Sequence, residues 1–132
     1  MALLELHGVS KHYRLGRQGG RALSDFELVV EQSEYVSIMG PPGRGKSTLM
    51  HLLGCLDTPS RGQYLLDGVD IGRVTDDRLA GIRGRKIGFV FQTFNLLPRL
   101  TAQKNVELPL TYQALPAEAR AERALEALGQ VE

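Results

Sequence analysis

The sequence predicts an α/β domain, and three observations carry that expectation. Two stretches in the first thirty residues, Leu3–Val9 and Ala22–Val30, have the pattern of strands. A glycine-rich turn at 40–45 then separates a short apolar run from a helical stretch. The end of the chain has the Ala, Leu and Glu composition of a helix. With 132 residues, 42% hydrophobic and 23% charged, the chain suits one globular domain and is too apolar for a disordered segment. A net charge of +1 argues against nucleic acid as a main partner, because phosphate-tracking proteins carry a marked basic excess. One cysteine, Cys55, excludes an internal disulfide and a cysteine-built metal site. No apolar run approaches the ~18 residues of a membrane span, and the start lacks a signal-peptide pattern. The expectation is a cytoplasmic chain.

Each element has its own signal. Leu3–Val9 alternates like a strand, with Gly8 marking a bend or bulge. Arg14–Arg21, holding three glycines and three arginines, reads as a hairpin loop. Ala22–Val30 is strand-like, with Phe26, Leu28 and Val30 on one face. Tyr35–Met39 is a mostly apolar run that stops at a turn, which predicts a buried strand. Lys46–Leu56 predicts a helix with Leu49, Met50, Leu52, Leu53 and Leu56 on its apolar side, and Cys55 falls with the core. Asp57–Gly62 is loop chemistry, and Gln63–Leu66 is a short strand closed by an Asp67-Gly68 turn. Thr75 is positioned to cap a helix over Asp76–Arg83, which Gly81 and Gly84 weaken by up to ~1 kcal/mol each. Ile87–Phe91 predicts a second strongly β-prone strand. Thr101–Leu110 and Pro116–Leu128 predict helices, the latter with proline in its first turn and Gly129 at its end.

The strongest chemical signal is Gly40-Pro41-Pro42-Gly43-Arg44-Gly45-Lys46-Ser47, followed by Thr48. It fits G-x-x-x-x-G-K-[ST], the phosphate-binding loop, with an apolar run before it and a helix after it. Glycines let successive backbone N–H groups turn inward as an anion nest, and the helix start adds partial positive charge. Lys46 would reach the β- and γ-phosphates, and Ser47 would offer its hydroxyl to Mg²⁺. Pro42 carries no N–H and so removes one donor from the nest, while Arg44 adds a cation beside it. Nucleotide binding is the expectation. His7, His12 and His51 have no metal-ligand spacing and are read as ordinary surface or core residues.

Several segments extend the match well beyond this loop. Leu4–Tyr13 (LELHGVSKHY), Val36–Cys55, Gly62–Asp70 (GQYLLDGVD) and Ile87–Leu110 (IGFVFQTFNLLPRLTAQKNVELPL) stand at the spacing seen in ABC-transporter ATPase subunits. The chain resembles the N-terminal part of such a subunit, and more narrowly the MacB/LolD group of macrolide export and lipoprotein release. The resemblance implies a P-loop ATPase fold with an N-terminal antiparallel β subdomain and part of the RecA-like core, incomplete at its C-terminal end. It implies ATP and Mg²⁺ as cofactors. It also implies that Tyr13 stacks on the adenine ring, and that Gln92 coordinates Mg²⁺ and senses the γ-phosphate. By residues alone, Tyr13 reads as a structural aromatic at a strand end and Gln92 as a polar residue closing Ile87–Phe91. Phe94–Leu100 would contact the membrane permease, although Leu96, Leu97 and Leu100 can equally pack on their own domain.

The resemblance further implies a subunit lying on the inner face of the cell membrane, dimerising with a second ATP-binding subunit in the full-length protein. The family's signature motif, Walker B pair and switch histidine are absent from residues 93–132. The chain is therefore expected to be a partial ATP-binding domain over 1–132, with negligible hydrolysis by itself. Two other readings remain: a different P-loop enzyme such as a kinase or GTPase, which leaves Tyr13, Gln92 and FNLLP unexplained, and a truncated or degenerate module that binds without turnover.

Overall fold

A computed structural model describes residues 2–15, 18–41 and 45–131, with backbone only for 13–15 and 18–21. The chain divides into two compact units, Met1–Arg83 and Gly84–Glu132.

The first unit is built on an antiparallel sheet. Strands β1 (Ala2–Leu15) and β2 (Gln18–Glu31) form a long hairpin, followed by helix α1 (Lys46–Leu53), β3 (Arg61–Leu66) and the short β4 (Val69–Asp70). The order across the sheet is β2-β1-β3-β4. The hairpin is longer than its sequence suggests. Residues 14 and 15 and 18–21, expected in a loop, continue the ladder, with Tyr13 opposite Gly20 and Leu15 opposite Gln18. Once the two strands are in register, pairing satisfies backbone groups whatever the side chains, so glycine and arginine do not end it.

The ladder bends where its register slips. His7 and Gly8 together face Glu27, and Gly8 is left-handed (φ +57°) with its N–H donated to Glu27 Oε1 at 2.6 Å. This is the bulge that Gly8 signalled. Ser24 and Asp25 face Ser10, whose buried hydroxyl accepts the Asp25 N–H at 3.0 Å. At the last slip, Lys11 pairs with Leu23 and His12 with Arg21, leaving Ala22 with no partner on β1. Across β1 and β3, Gly62 (φ +85°) crowds the other strand. A Cβ there would lie 2.5 Å from the Gly8 carbonyl carbon and 2.6 Å from His7 O, closer than real atoms come. The β3–β4 turn is the expected one: Asp67 (φ +50°) and Gly68 (φ +79°) both take the left-handed conformation of a tight hairpin.

The core of this unit holds Leu6, Val9, Leu49, Leu52, Cys55, Tyr64, Leu66, Ile71 and Leu79, all below a tenth exposed. Leu6 and Tyr64 are a cross-strand pair, and the Tyr64 hydroxyl donates to Leu53 O at 2.7 Å, fastening β3 to the end of α1. Helix α1 stops at Leu53, three residues sooner than expected. Cys55 is left-handed (φ +58°), its N–H bonds to Leu52 O, and Leu56 N–H bonds to His51 O, so the last carbonyls are satisfied by a Schellman turn. Leu49 and Leu52 are buried, whereas Met50 and Leu56 are half-exposed. Burial pushes the Cys55 thiol pKa up, opposed by the Arg83 charge and a Tyr64 hydrogen bond. Burial raises the Tyr64 phenol as well, with Cys55 adding to the effect. Lys11 bonds Asp57 Oδ1 and Thr58 O, both at 2.8 Å, tying β1 to the loop after α1. Thr75 caps α2 (Asp76–Lys86) through its Oγ1, as expected, and the helix runs past Arg83.

The second unit carries α3 (Ala102–Thr111) and α4 (Ala117–Gln130). Thr101 caps α3, accepting Lys104 N–H at 3.1 Å. Pro116 precedes α4 as its cap residue, and the helix passes through Gly129 to Gln130 instead of stopping there.

Two expected strands do not form. Tyr35–Met39 and Ile87–Phe91 are coil. Tyr35 is 92% exposed, Met39 89% and Val90 100%. Apolar β-branched residues make a strand only against another strand's backbone, and neither run has a ladder among the described residues.

Candidate functional site

The phosphate loop leaves the 35–39 segment at Gly40, and its helix-side end is Gly45. Pro42, Gly43 and Arg44 lie outside the described residues. Gly45 is left-handed (φ +88°, ψ 6°) and immediately precedes α1, whose first bond runs from Leu49 N–H to Gly45 O at 2.9 Å. A glycine is needed here twice over. Its φ disfavours any side chain, and a Cβ would sit 2.5 Å from the Ala22 carbonyl oxygen on β2. No side chain caps α1, so the amides of its first turn are left to an external acceptor, with the positive end of the helix dipole beside them.

Lys46 is half-buried and folds back along the loop, its Nζ donating to Gly40 O. The ammonium therefore closes a ring with the first glycine of the motif. Ser47 is exposed on the first turn, with its hydroxyl available, and Thr48 is half-buried. This set suits a phosphate chain: backbone donors, one mobile cation and a hydroxyl for a magnesium ion that phosphates would also hold. The described residues contain no cluster of three His, Cys, Asp or Glu that would hold a metal ion by itself.

Tyr13 stands on β1 opposite Gly20; its side chain lies outside the description. Gln92 belongs to the second unit, exposed in a turn that follows the 87–91 run. The Lys46–Gly40 bond brings the two ends of the motif together, with Ser47 and Thr48 on the first turn of α1. Phe94 is 78% exposed and Leu96 67%; Leu97 and Leu100 are more than a third exposed. The 94–100 segment is therefore an apolar surface loop.

Asn105 is the residue that sequence reading missed in this loop. Its Oδ1 accepts Leu97 N–H at 2.8 Å, and its Nδ2 donates to Leu97 O (3.2 Å), Leu100 O (3.3 Å) and Thr101 O (3.0 Å). One amide side chain satisfies four backbone groups and clips the apolar loop onto the start of α3. An asparagine within a helix turn after a Pro-containing loop is the only signal the sequence offers.

The motif Gly40–Ser47 thus runs through a left-handed Gly45 into the start of α1, the helix-side half of a phosphate-binding loop. The sequence profile described as ABC transporter matches residues 23–132, and the chain belongs to that family. It is 51% identical over 129 residues to the ABC transporter ATP-binding protein YknY of Bacillus subtilis, covering 98% of this chain and 56% of that protein. It is 45% identical over 130 residues to the macrolide export ATP-binding/permease protein MacB of Photorhabdus laumondii, covering 98% of this chain and 20% of MacB. Among solved structures, the dimeric MJ0796 cassette from Methanocaldococcus jannaschii superposes with a TM-score of 0.86 at 46% identity, over 96% of this chain and 56% of that one. The chain spans a little over half the length of the single-cassette relatives it matches. No described helix is long and apolar enough to cross a membrane.

Proposed function

We propose that the chain is the nucleotide-binding portion of an ABC-transporter ATP-binding subunit, holding ATP and Mg²⁺ at the loop Gly40–Thr48. The observation that carries this is the left-handed Gly45 ahead of an uncapped α1, with Lys46 turned back over the loop. In this reading the α1 amides and Lys46 bind the phosphates and Ser47 is a magnesium ligand. Tyr13 stacks on the base, and Gln92 completes the metal site. Magnesium, when bound, neutralises charge building on the transferred phosphoryl group. Lys46 must leave Gly40 O to meet phosphate, so binding exchanges one charge-assisted hydrogen bond for a stronger one. Phe94–Leu100, exposed and apolar, is the permease-facing loop of a subunit peripheral at the inner membrane face, and the likeness to a dimeric cassette supports a second ATP-binding subunit as partner.

A titration with a fluorescent ATP analogue, with and without Mg²⁺, tests the reading. The expected result is saturable binding that Lys46→Ala reduces at least tenfold; no binding at millimolar nucleotide refutes it.

The second reading concerns turnover. Residues 93–132 hold no signature motif, Walker B pair or switch histidine, which supports binding without hydrolysis by this chain alone. Magnesium-dependent phosphate release that Lys46→Ala abolishes would overturn that part while leaving the binding site intact.

A further inference from the structure

The last slip in the β1–β2 ladder falls where the hairpin faces Gly45. Lys11 pairs with Leu23 and His12 with Arg21, so Ala22 is the extra residue of a β-bulge. Its carbonyl oxygen is also the atom that faces Gly45, at 2.5 Å from the position a Cβ would take, with Leu23 Cδ1 at 3.7 Å from that position. Bulges disrupt the ladder locally, bend the strand that carries them and gather beside functional sites. Here the carbonyl of the bulged residue presses on the residue that starts α1. Further along the same ladder, only two β2 residues from Ala22, Gly20 lies opposite Tyr13.

We propose that the Ala22 bulge is a positioning element for the phosphate loop. Its carbonyl buttresses Gly45, fixing where the α1 amides point, and the hairpin thereby sets the spacing between the Tyr13 position and the phosphate nest. The inference rests on the nucleotide-binding reading of Gly40–Thr48 and adds to it a residue outside the motif. A regular ladder would leave Gly45 without this support. Two facts fit the arrangement and nothing else described for the hairpin: the bulged residue has no ladder partner to serve, and Gly45 cannot accept a side chain on that side.

Removal of Ala22 is the direct test, because Leu23 and Arg21 then become neighbours and every other β1–β2 pair keeps its partner. Inorganic tripolyphosphate with Mg²⁺ is the probe, since it reads the nest without the base. The 132-residue chain lacking Ala22 is expected to bind tripolyphosphate at least tenfold more weakly, with its unfolding midpoint within a few degrees of the parent. Ala22→Gly, which keeps the bulge and its carbonyl, is expected to bind within twofold of the parent. Equal affinity in the deletion variant overturns the proposal, as does an Ala22→Gly loss as large as that of the deletion. Failure of the parent itself to bind would instead overturn the nucleotide reading.

Should the deletion variant not fold, hydrogen exchange on the unaltered chain decides. Saturating magnesium tripolyphosphate is expected to slow exchange of the Ala22 and Leu23 amides at least fivefold. Val29 and Val30, at the far end of the same strand, should not change. Uniform slowing along β2, or none at Ala22, refutes the buttress.

Discussion

Replacing Gly62 by alanine tests whether backbone crowding, and not conformation alone, holds the sheet in its register. At Gly62 the φ of +85° costs an L-residue about 1–2 kcal/mol. The added Cβ also meets the Gly8 and His7 backbone, with the Gly8 carbonyl carbon at 2.5 Å and His7 O at 2.6 Å. Those atoms belong to a paired strand and cannot swing aside as a side chain would, so overpacking adds about 1–3 kcal/mol. The total is about 2–5 kcal/mol, a large part of the roughly 5–15 kcal/mol that holds an ordinary domain together. Gly68 is the internal control. Its φ of +79° is nearly the same, but a Cβ there meets nothing within 4 Å, so Gly68→Ala should cost only the conformational ~1–2 kcal/mol. Urea titrations followed by far-UV circular dichroism give both numbers. A difference below about 0.5 kcal/mol between the two variants would mean that β1 and β3 can part without cost, and the crowding argument fails.

Three further outcomes follow from other contacts. Asn105→Ala should free the 94–100 loop: losing its network, at about 1–2 kcal/mol, raises tryptic cleavage after Arg99 roughly five- to thirtyfold, and a rate within twofold of the parent contradicts the clip. Gly81 lies on an exposed turn of α2 with nothing within 4 Å of a Cβ, so Gly81→Ala should gain about 0.5–1 kcal/mol in the same urea titration; a loss would place an unseen contact there. Cys55 and Tyr64 both have raised pKa values when folded, against ordinary values of 9.0 and 10.0, so the unfolded chain gives up each proton first. Their stabilisation is complete below those ordinary values and declines as pH climbs past them, at up to ~1.4 kcal/mol per pH unit per group. Tyr64→Phe should flatten the decline above pH 10, and an unchanged slope there would show that the phenol is not held protonated.

Much of the architecture could be read in advance, and the failures share one cause. The Asp67-Gly68 turn, the Thr75 cap and the start of a helix at Lys46 depend on neighbours a few residues away, and all three appear as read. Tyr35–Met39 and Ile87–Phe91 have the composition of strands, but a strand also needs a partner, which local composition cannot supply. The hairpin errs in the opposite direction, because residues 14, 15 and 18–21 look like loop and are carried into the ladder by register. The Gly40–Ser47 motif stands out in the sequence because its glycines and lysine are contiguous. The Ala22 bulge does not, since it exists only as a mismatch between two strands. Asn105 likewise shows its role only once Leu97, Leu100 and Thr101 are seen around it.

Cys55 has one more consequence. It is the only thiol in the chain, it is fully buried, and it sits in the turn where α1 ends. A thiol reagent can therefore reach it only when the packing around the end of α1 opens, and reaction cannot scramble into a disulfide within the chain. The rate of colour development with an aromatic disulfide then becomes a clock for that opening, read at neutral pH with no denaturant and no engineered label. Because α1 begins at the phosphate loop, any ligand that occupies the loop and steadies the helix should slow the clock. The protein thus carries a built-in reporter that joins the two ends of one short helix.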